Sequence, residues 1–178
     1  MKKLLLCLCL LLSVFIAVPN VIAGEIAVVN LDEIIKNSTA MTKFTKDLEK
    51  QKSDMEKKLK LKEDNLANEK NSLQSELTHL SDSLAQEKAS AFQKKVFDFQ
   101  GEIKDNESTL QKKYMDGILE VTNSIRSILV EMKSEKNSKY TYTVVLPKSS
   151  AIYNDNGIDV SAEVLARLNK RLKKISIK

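Results

Sequence analysis

The run MTKFTKDLEKQKSDMEKKLKLKEDNLANEKNSLQSEL, residues 41–77, decides the fold. Its apolar side chains, Met41, Phe44, Leu48, Met55, Leu59, Leu66, Leu73 and Leu77, recur at threes, fours and sevens, and the residues between them are nearly all charged or amide. That spacing puts one greasy stripe along one face of a helix, the pattern of a coiled-coil seam. The run lies between Pro19 and Pro147, the chain's two prolines, in a Lys/Glu/Gln/Leu-rich stretch that only Gly101 and Gly117 interrupt after its opening residues. Proline would break an interior turn and these residues favour helix, so one or two very long helices are expected. A molecule of that shape offers little compact volume for an enzyme pocket. Its work is gripping or spacing.

A second series, Leu84, Phe92, Val96, Phe99, Ile103, Leu110, Tyr114, Ile118, Val121, Ile125, Ile128 and Met132, marks a second helix. Between the two, Thr78-His79-Leu80-Ser81-Asp82-Ser83 concentrates capping and turn-favouring side chains, and Ser83 with Gln86 resembles a capping box. A hairpin tip is therefore placed at 78–83, with an arm spanning 38–138. The two legs would be roughly 40 and 55 residues, or about 60 Å and 80 Å long at the helical rise. A single unbroken rod in a parallel dimer could use the same residues. The hairpin is preferred because the seam slips phase near the tip and because folding back brings the two ends of the chain together. The inter-leg seam is assigned to Leu48, Met55, Leu59, Leu66, Leu73, Leu77, Leu84, Phe92, Val96, Phe99, Ile103 and Leu110. It is thin: Gln51, Lys62 and Glu69 or Lys70 stand where a tight coiled coil wants apolar groups, so a firm root and a loose outer half are expected.

The ends of the arm supply the base, residues 24–37 and 139–178. Glu25 to Leu31 reads as a buried strand followed by a brief helix capped by Asn30 or Asp32, and Tyr140 to Leu146 as an aromatic, β-branched strand stopping at Pro147. After a turn at Asn154-Asp155-Asn156-Gly157, a helix capped by Asp159 or Ser161 carries Val164, Leu165 and Leu168 on its packing face, and the basic tail from Arg167 reads as a solvated helix end. Two strands expose edges and bury too little surface alone, so association of copies is expected through Ile26, Val28, Val29, Tyr142, Val144 and Leu146. The fold class is α+β, mostly α.

Residues 1–23 match a secretory signal: Lys2 and Lys3, an apolar run from Leu4 to Val18, and a cleavage site after Ala23. Both cysteines, Cys7 and Cys9, fall within it, so the exported chain has no thiol for disulfides or metal. The 29 basic and 24 acidic side chains give +5, two of the positive charges leave with the signal, and both signs are interspersed. This falls short of a nucleic-acid-binding stripe, and export argues against a histone-like role.

No cofactor, metal site or catalytic constellation is expected. The single histidine, His79, sits at the tip without partners, and the loop at 154–157 lacks a first calcium ligand because Ile152 occupies that position. Phe97 lies well off the face shared by Phe92, Val96 and Phe99, which makes it the candidate for contact with a bound client.

Ile26-Ala27-Val28-Val29-Asn30, the charged hairpin, Tyr142-Thr143-Val144-Val145-Leu146, Ala151-Ile152-Tyr153 and Ile158 to Leu165 together resemble the Skp/OmpH family of periplasmic chaperones. The resemblance implies a homotrimer with a β-rich body and three helical tentacles that hold unfolded outer-membrane proteins without ATP in the periplasm. The chain departs from the family pattern in having no glycine at the tip and a modest positive charge, so arm contact with membrane or lipopolysaccharide is left open. A structural periplasmic coiled-coil adaptor is the alternative, although such a chain should continue into further globular modules.

Overall fold

Ser38, fully buried, is the hinge between the base and the arm: its side chain accepts from Met41 N at 3.3 Å and so starts a new helix just where the previous one stops. The computed structural model describes residues 25–136 and 138–176; the export signal expected at 1–23, with its expected cut after Ala23, lies outside them. In order come β1 (Glu25–Val29), α1 (Leu31–Asn37), α2 (Thr39–Leu77), α3 (Asp82–Ser134), β2 (Tyr142–Pro147) and α4 (Ser161–Arg171), with 3-10 turns at Lys148–Ser150 and Asn156–Ile158. Of the two caps considered for α1, Asn30 holds the place, its Oδ1 accepting from Glu33 N at 3.1 Å.

Helix α2 runs for 39 residues and α3 for 53, about 58 Å and 80 Å at 1.5 Å per residue. They turn back on each other through Thr78–Ser81. The proposed box at Ser83 is not formed. The helix starts earlier, Ser81 stands at its N-cap without a side-chain bond, and Asp82 in the first turn offers its charge to the helix N-terminus instead.

Strands β1 and β2 pair in parallel, Ile26 with Val144, Ala27 with Val145, Val28 with Leu146 and Val29 with Pro147. Parallel neighbours need a long crossover, and here the arm itself is that crossover. A bulge between Glu25 and Ile26 shifts the register, because Glu25 still faces Tyr142. The shift turns Tyr142 inward, where its hydroxyl donates to Leu129 O at 2.6 Å. On the far edge of β1, Val160 N donates to Val28 O at 3.0 Å.

The core sits at the root of the arm. Ile34 of α1, Val121, Ile125, Ile128 and Met132 of α3, and Val164 and Leu168 of α4 are buried against Ala27 and Val29 of the sheet. Full burial of each such side chain stabilises by about 1.5–3 kcal/mol, so the root is where the fold is secured. The basic tail takes part in it. Arg167 pairs with Glu135 and Glu163, Arg171 pairs with Glu131, and Ile175 is buried, so the segment is tied to α3 even though Lys170, Lys173 and Lys174 stay exposed to solvent. The turn at 154–157 is also other than a simple Asn-Gly turn: the Asp155 carboxylate accepts from Gly157 N at 3.0 Å and opens a 3-10 turn.

Gly117 and Gly101 play opposite parts. A Cβ on Gly117 would overlap the Phe44 ring, so this glycine lets α2 and α3 approach at the root. Around Gly101 a Cβ would meet nothing, so the glycine only loosens the outer helix. Gly101→Ala should therefore stabilise the arm by about 1 kcal/mol, seen as slower amide exchange around residue 101. Unchanged or faster exchange would contradict this.

Candidate functional site: the arm and the open face of the base

From residue 49 to residue 116 no side chain is fully buried. The outer arm is thus a two-helix ribbon whose apolar contacts all remain partly wet. Met55, Leu59, Leu66, Leu73, Leu77, Phe92, Val96, Phe99, Ile103 and Leu110 are half-buried between the legs, and Leu48 is buried close to the root. Leu84 does not join them. It is 40% exposed, and the small Ala85, seven residues before Phe92 and so in phase with the seam, takes the inward place.

The polar positions that thin the seam are paired across it. Lys113 Nζ donates to Gln51 Oε1 at 2.9 Å, Lys62 reaches Glu102 at 2.5 Å, Lys95 reaches Glu69 at 2.5 Å, and Lys88 pairs with Glu76. Exposed pairs of this kind contribute only a few tenths to about 1 kcal/mol each and are screened by salt. Raising salt from about 0.05 M to about 1 M should speed amide exchange in the outer arm by a few-fold while leaving the root near Ile128 unchanged. Equal acceleration in both regions would show that these pairs do not hold the arm.

In the base, the residues assigned to association separate into two groups. Val28, Val29 and Tyr142 are already buried within one chain, whereas Ile26, Val144 and Leu146 are 49%, 48% and 38% exposed. Parallel sheets are normally covered on both faces, so this uncovered one stands out. Ile152 and Tyr153 project beside it, almost wholly exposed.

Phe97 is 74% exposed. Further exposed apolar residues on the same helix, Met115, Leu119 and Val130, have no counterpart in the sequence reading, although their helical spacing is visible there as a second stripe. Near the root this side of α3 opens into a groove of about 560 Å³ against β2, lined by Val29, Leu129, Val130, Tyr142 and Val145. Among the described residues, no helix is long and apolar enough to cross a membrane, and no three His, Cys, Asp or Glu side chains gather to hold a metal.

The family model for outer membrane proteins of the OmpH-like kind matches residues 25–168, taking in the sheet, both legs and most of α4. The chain belongs to the OmpH-like family. A crystal structure from Caulobacter crescentus CB15, of an OmpH-like protein named as a candidate outer membrane chaperone, has the same fold: TM-score 0.66 at 18% identity, covering 87% of this chain and 89% of that one. No curated protein matches the sequence. In this OmpH-like chain the matched residues hold both the thin arm and the open sheet.

Proposed function

We propose that this OmpH-like chain is an ATP-independent periplasmic holdase, which associates through its base and encloses unfolded outer-membrane proteins between its arms. The observation that carries the reading is the contrast along the chain: a root with a dry core, and an arm with no fully buried side chain from 49 to 116. An unfolded barrel protein presents alternating apolar strands that pair edge to edge in water. Arms carrying dispersed apolar groups among charges meet such strands through many weak contacts, which isolate the client and still let it go. The uncovered face at Ile26, Val144 and Leu146 supports assembly of copies, a trimer by family likeness. The export signal read at residues 1–23 supports the periplasm as the place of this work.

Light scattering on the exported chain, followed by dilution of a urea-denatured outer-membrane barrel into it without nucleotide, tests the reading. A mass of three chains and a soluble client are expected. A monomer that leaves client aggregation unchanged would overturn it.

A further inference from the structure

We infer that Asn156 is a self-modification site: its side chain closes onto the Gly157 nitrogen and converts, without an enzyme, to isoaspartate or aspartate, and the conversion loosens the base. Asn156-Gly157 is the one Asn-Gly pair in the chain. In the reaction the Gly157 nitrogen gives up its proton to hydroxide and bonds to Cγ of Asn156. The Cγ–Nδ2 bond breaks, and the departing group takes a proton from water and leaves as ammonia. Water then opens the cyclic imide at either carbonyl, so the net change is one water taken up and one ammonia lost. Opening at the main-chain carbonyl sends the chain through Cγ, which is isoaspartate.

Both residues are exposed in the short 3-10 turn Asn156–Ile158, which two main-chain bonds close, Ile158 N to Asp155 O at 3.2 Å and Asp159 N to Asn156 O at 3.3 Å. A turn held so lightly opens locally at little cost, which frees the Gly157 nitrogen to swing beneath Cγ. The fold does not require glycine here: the Gly157 backbone stays out of the left-handed region, and a Cβ would meet Asp155 Oδ1 at an ordinary 3.7 Å. What the missing Cβ provides is a clear approach for the nitrogen. The Asn-Ser pairs at Asn71 and Asn123 have no such freedom, since they lie inside α2 and α3, where the helical hydrogen-bond ladder holds each following amide.

Asp155 sets the rate. Its Oδ1 accepts from Gly157 N at 3.0 Å, which favours the protonated nitrogen, and its negative charge opposes a second one forming beside it. The carboxylate is thus a brake on ring closure. The consequence falls on the ties of the base. In isoaspartate the carbonyl that accepts from Asp159 N leaves the main chain as a free carboxylate, so that bond is lost just where the chain enters the contacts of Asp159 with Lys148 and Ser161 and of Val160 with Val28. A new negative charge also stands one residue from Asp155 and three from Asp159. None of this rests on the holdase reading.

The experiment holds the full exported chain for several weeks at about pH 7 and about pH 9 and then digests it with trypsin, which releases residues 149–167 with Asn154 and Asn156 together; fragment masses between the two locate the change. Conversion at Asn156 is expected, with isoaspartate among the products and Asn71 and Asn123 unchanged. It should run about tenfold or more faster at the higher pH, because the attacking nitrogen must first lose its proton. Gly157→Ala should slow it about tenfold or more, and Asp155→Ala should speed it a few-fold. Both positions are exposed, and circular dichroism checks that each variant folds. The converted protein, separated by its added charge, should melt about 2–4 °C below the unconverted. An unchanged Asn156, equal conversion at Asn123, or an undiminished rate in Gly157→Ala would each overturn the site. An unchanged or slower rate in Asp155→Ala would overturn the brake, and equal melting would overturn the loosening of the base.

Discussion

Gly117→Val is expected to cost the root about 3 kcal/mol, because a branched side chain there must displace the Phe44 ring that fills the space beside the glycine. The same change puts a β-branched residue in mid-helix, but removing a glycine, itself a poor helix former, offsets that part, so nearly all of the loss comes from overlap between the legs. For a chain of this size the apparent melting temperature should fall by roughly 6–12 °C, compared at one protein concentration. Phe44→Ala made in the Gly117→Val background should recover part of the loss, since it removes the clashing partner. Costs that simply add in the double variant would show that the legs do not meet at this point. The consequence reaches function, because the direction in which the arm leaves the base is set where Phe44 meets Gly117.

The second large effect belongs to Asp159, which joins three distant segments. Its Oδ1 accepts from Ser161 N at 2.9 Å and from Ser161 Oγ at 2.5 Å, its Oδ2 takes Lys148 at 2.6 Å, and Ser161 Oγ in turn accepts from Asn30 N at 2.8 Å. The end of β2, the start of α4 and the junction of β1 with α1 are thereby tied at one carboxylate. Asp159→Ala strands these donors and should cost about 2–3 kcal/mol, a figure kept below that for a fully buried pair because water still reaches Lys148.

Its pH dependence has a definite sign. Burial opposes the charge, but the Lys148 ammonium and the Ser161 donors outweigh it and hold the carboxyl below its ordinary 3.8. A carboxyl with a lowered folded-state pKa stabilises fully above the unfolded value and stops doing so as pH falls through the folded one. The advantage of the native protein over Asp159→Asn, measured by urea midpoint, should therefore persist at pH 7 and shrink below about pH 4. A gap of the same size at both pH values would mean the carboxylate's charge is not what ties the segments.

How much of this was legible beforehand depends on how far apart the partners lie. Apolar period and proline placement are local, and they were enough to read both long helices and the terminal strands. Asn30 as a helix cap is local too. Leu84 misled by its size: its eight-residue step to Phe92 turns it about 80° off the seam, and the seven-residue step puts the small Ala85 inward instead. Gln51, Lys62 and Glu69 read as flaws in the seam, since a polar side chain one helix away from its partner carries no mark of that partner. Across the folded arm they become cross-links to Lys113, Glu102 and Lys95.

The amino-acid order thus decided what each segment is: the helical legs, the strands, the chemistry spread thinly along the arm. Packing decided what each segment meets. That the strands run parallel, that a bulge turns Tyr142 towards Leu129, that Asp159 holds Lys148 and, through Ser161, reaches Asn30, and that Ile26, Val144 and Leu146 are left uncovered all depend on which residues far apart in the chain come together. Secondary structure follows from neighbours within a few positions, while burial and charge pairing are properties of a surface that exists only once the legs have folded back onto the base.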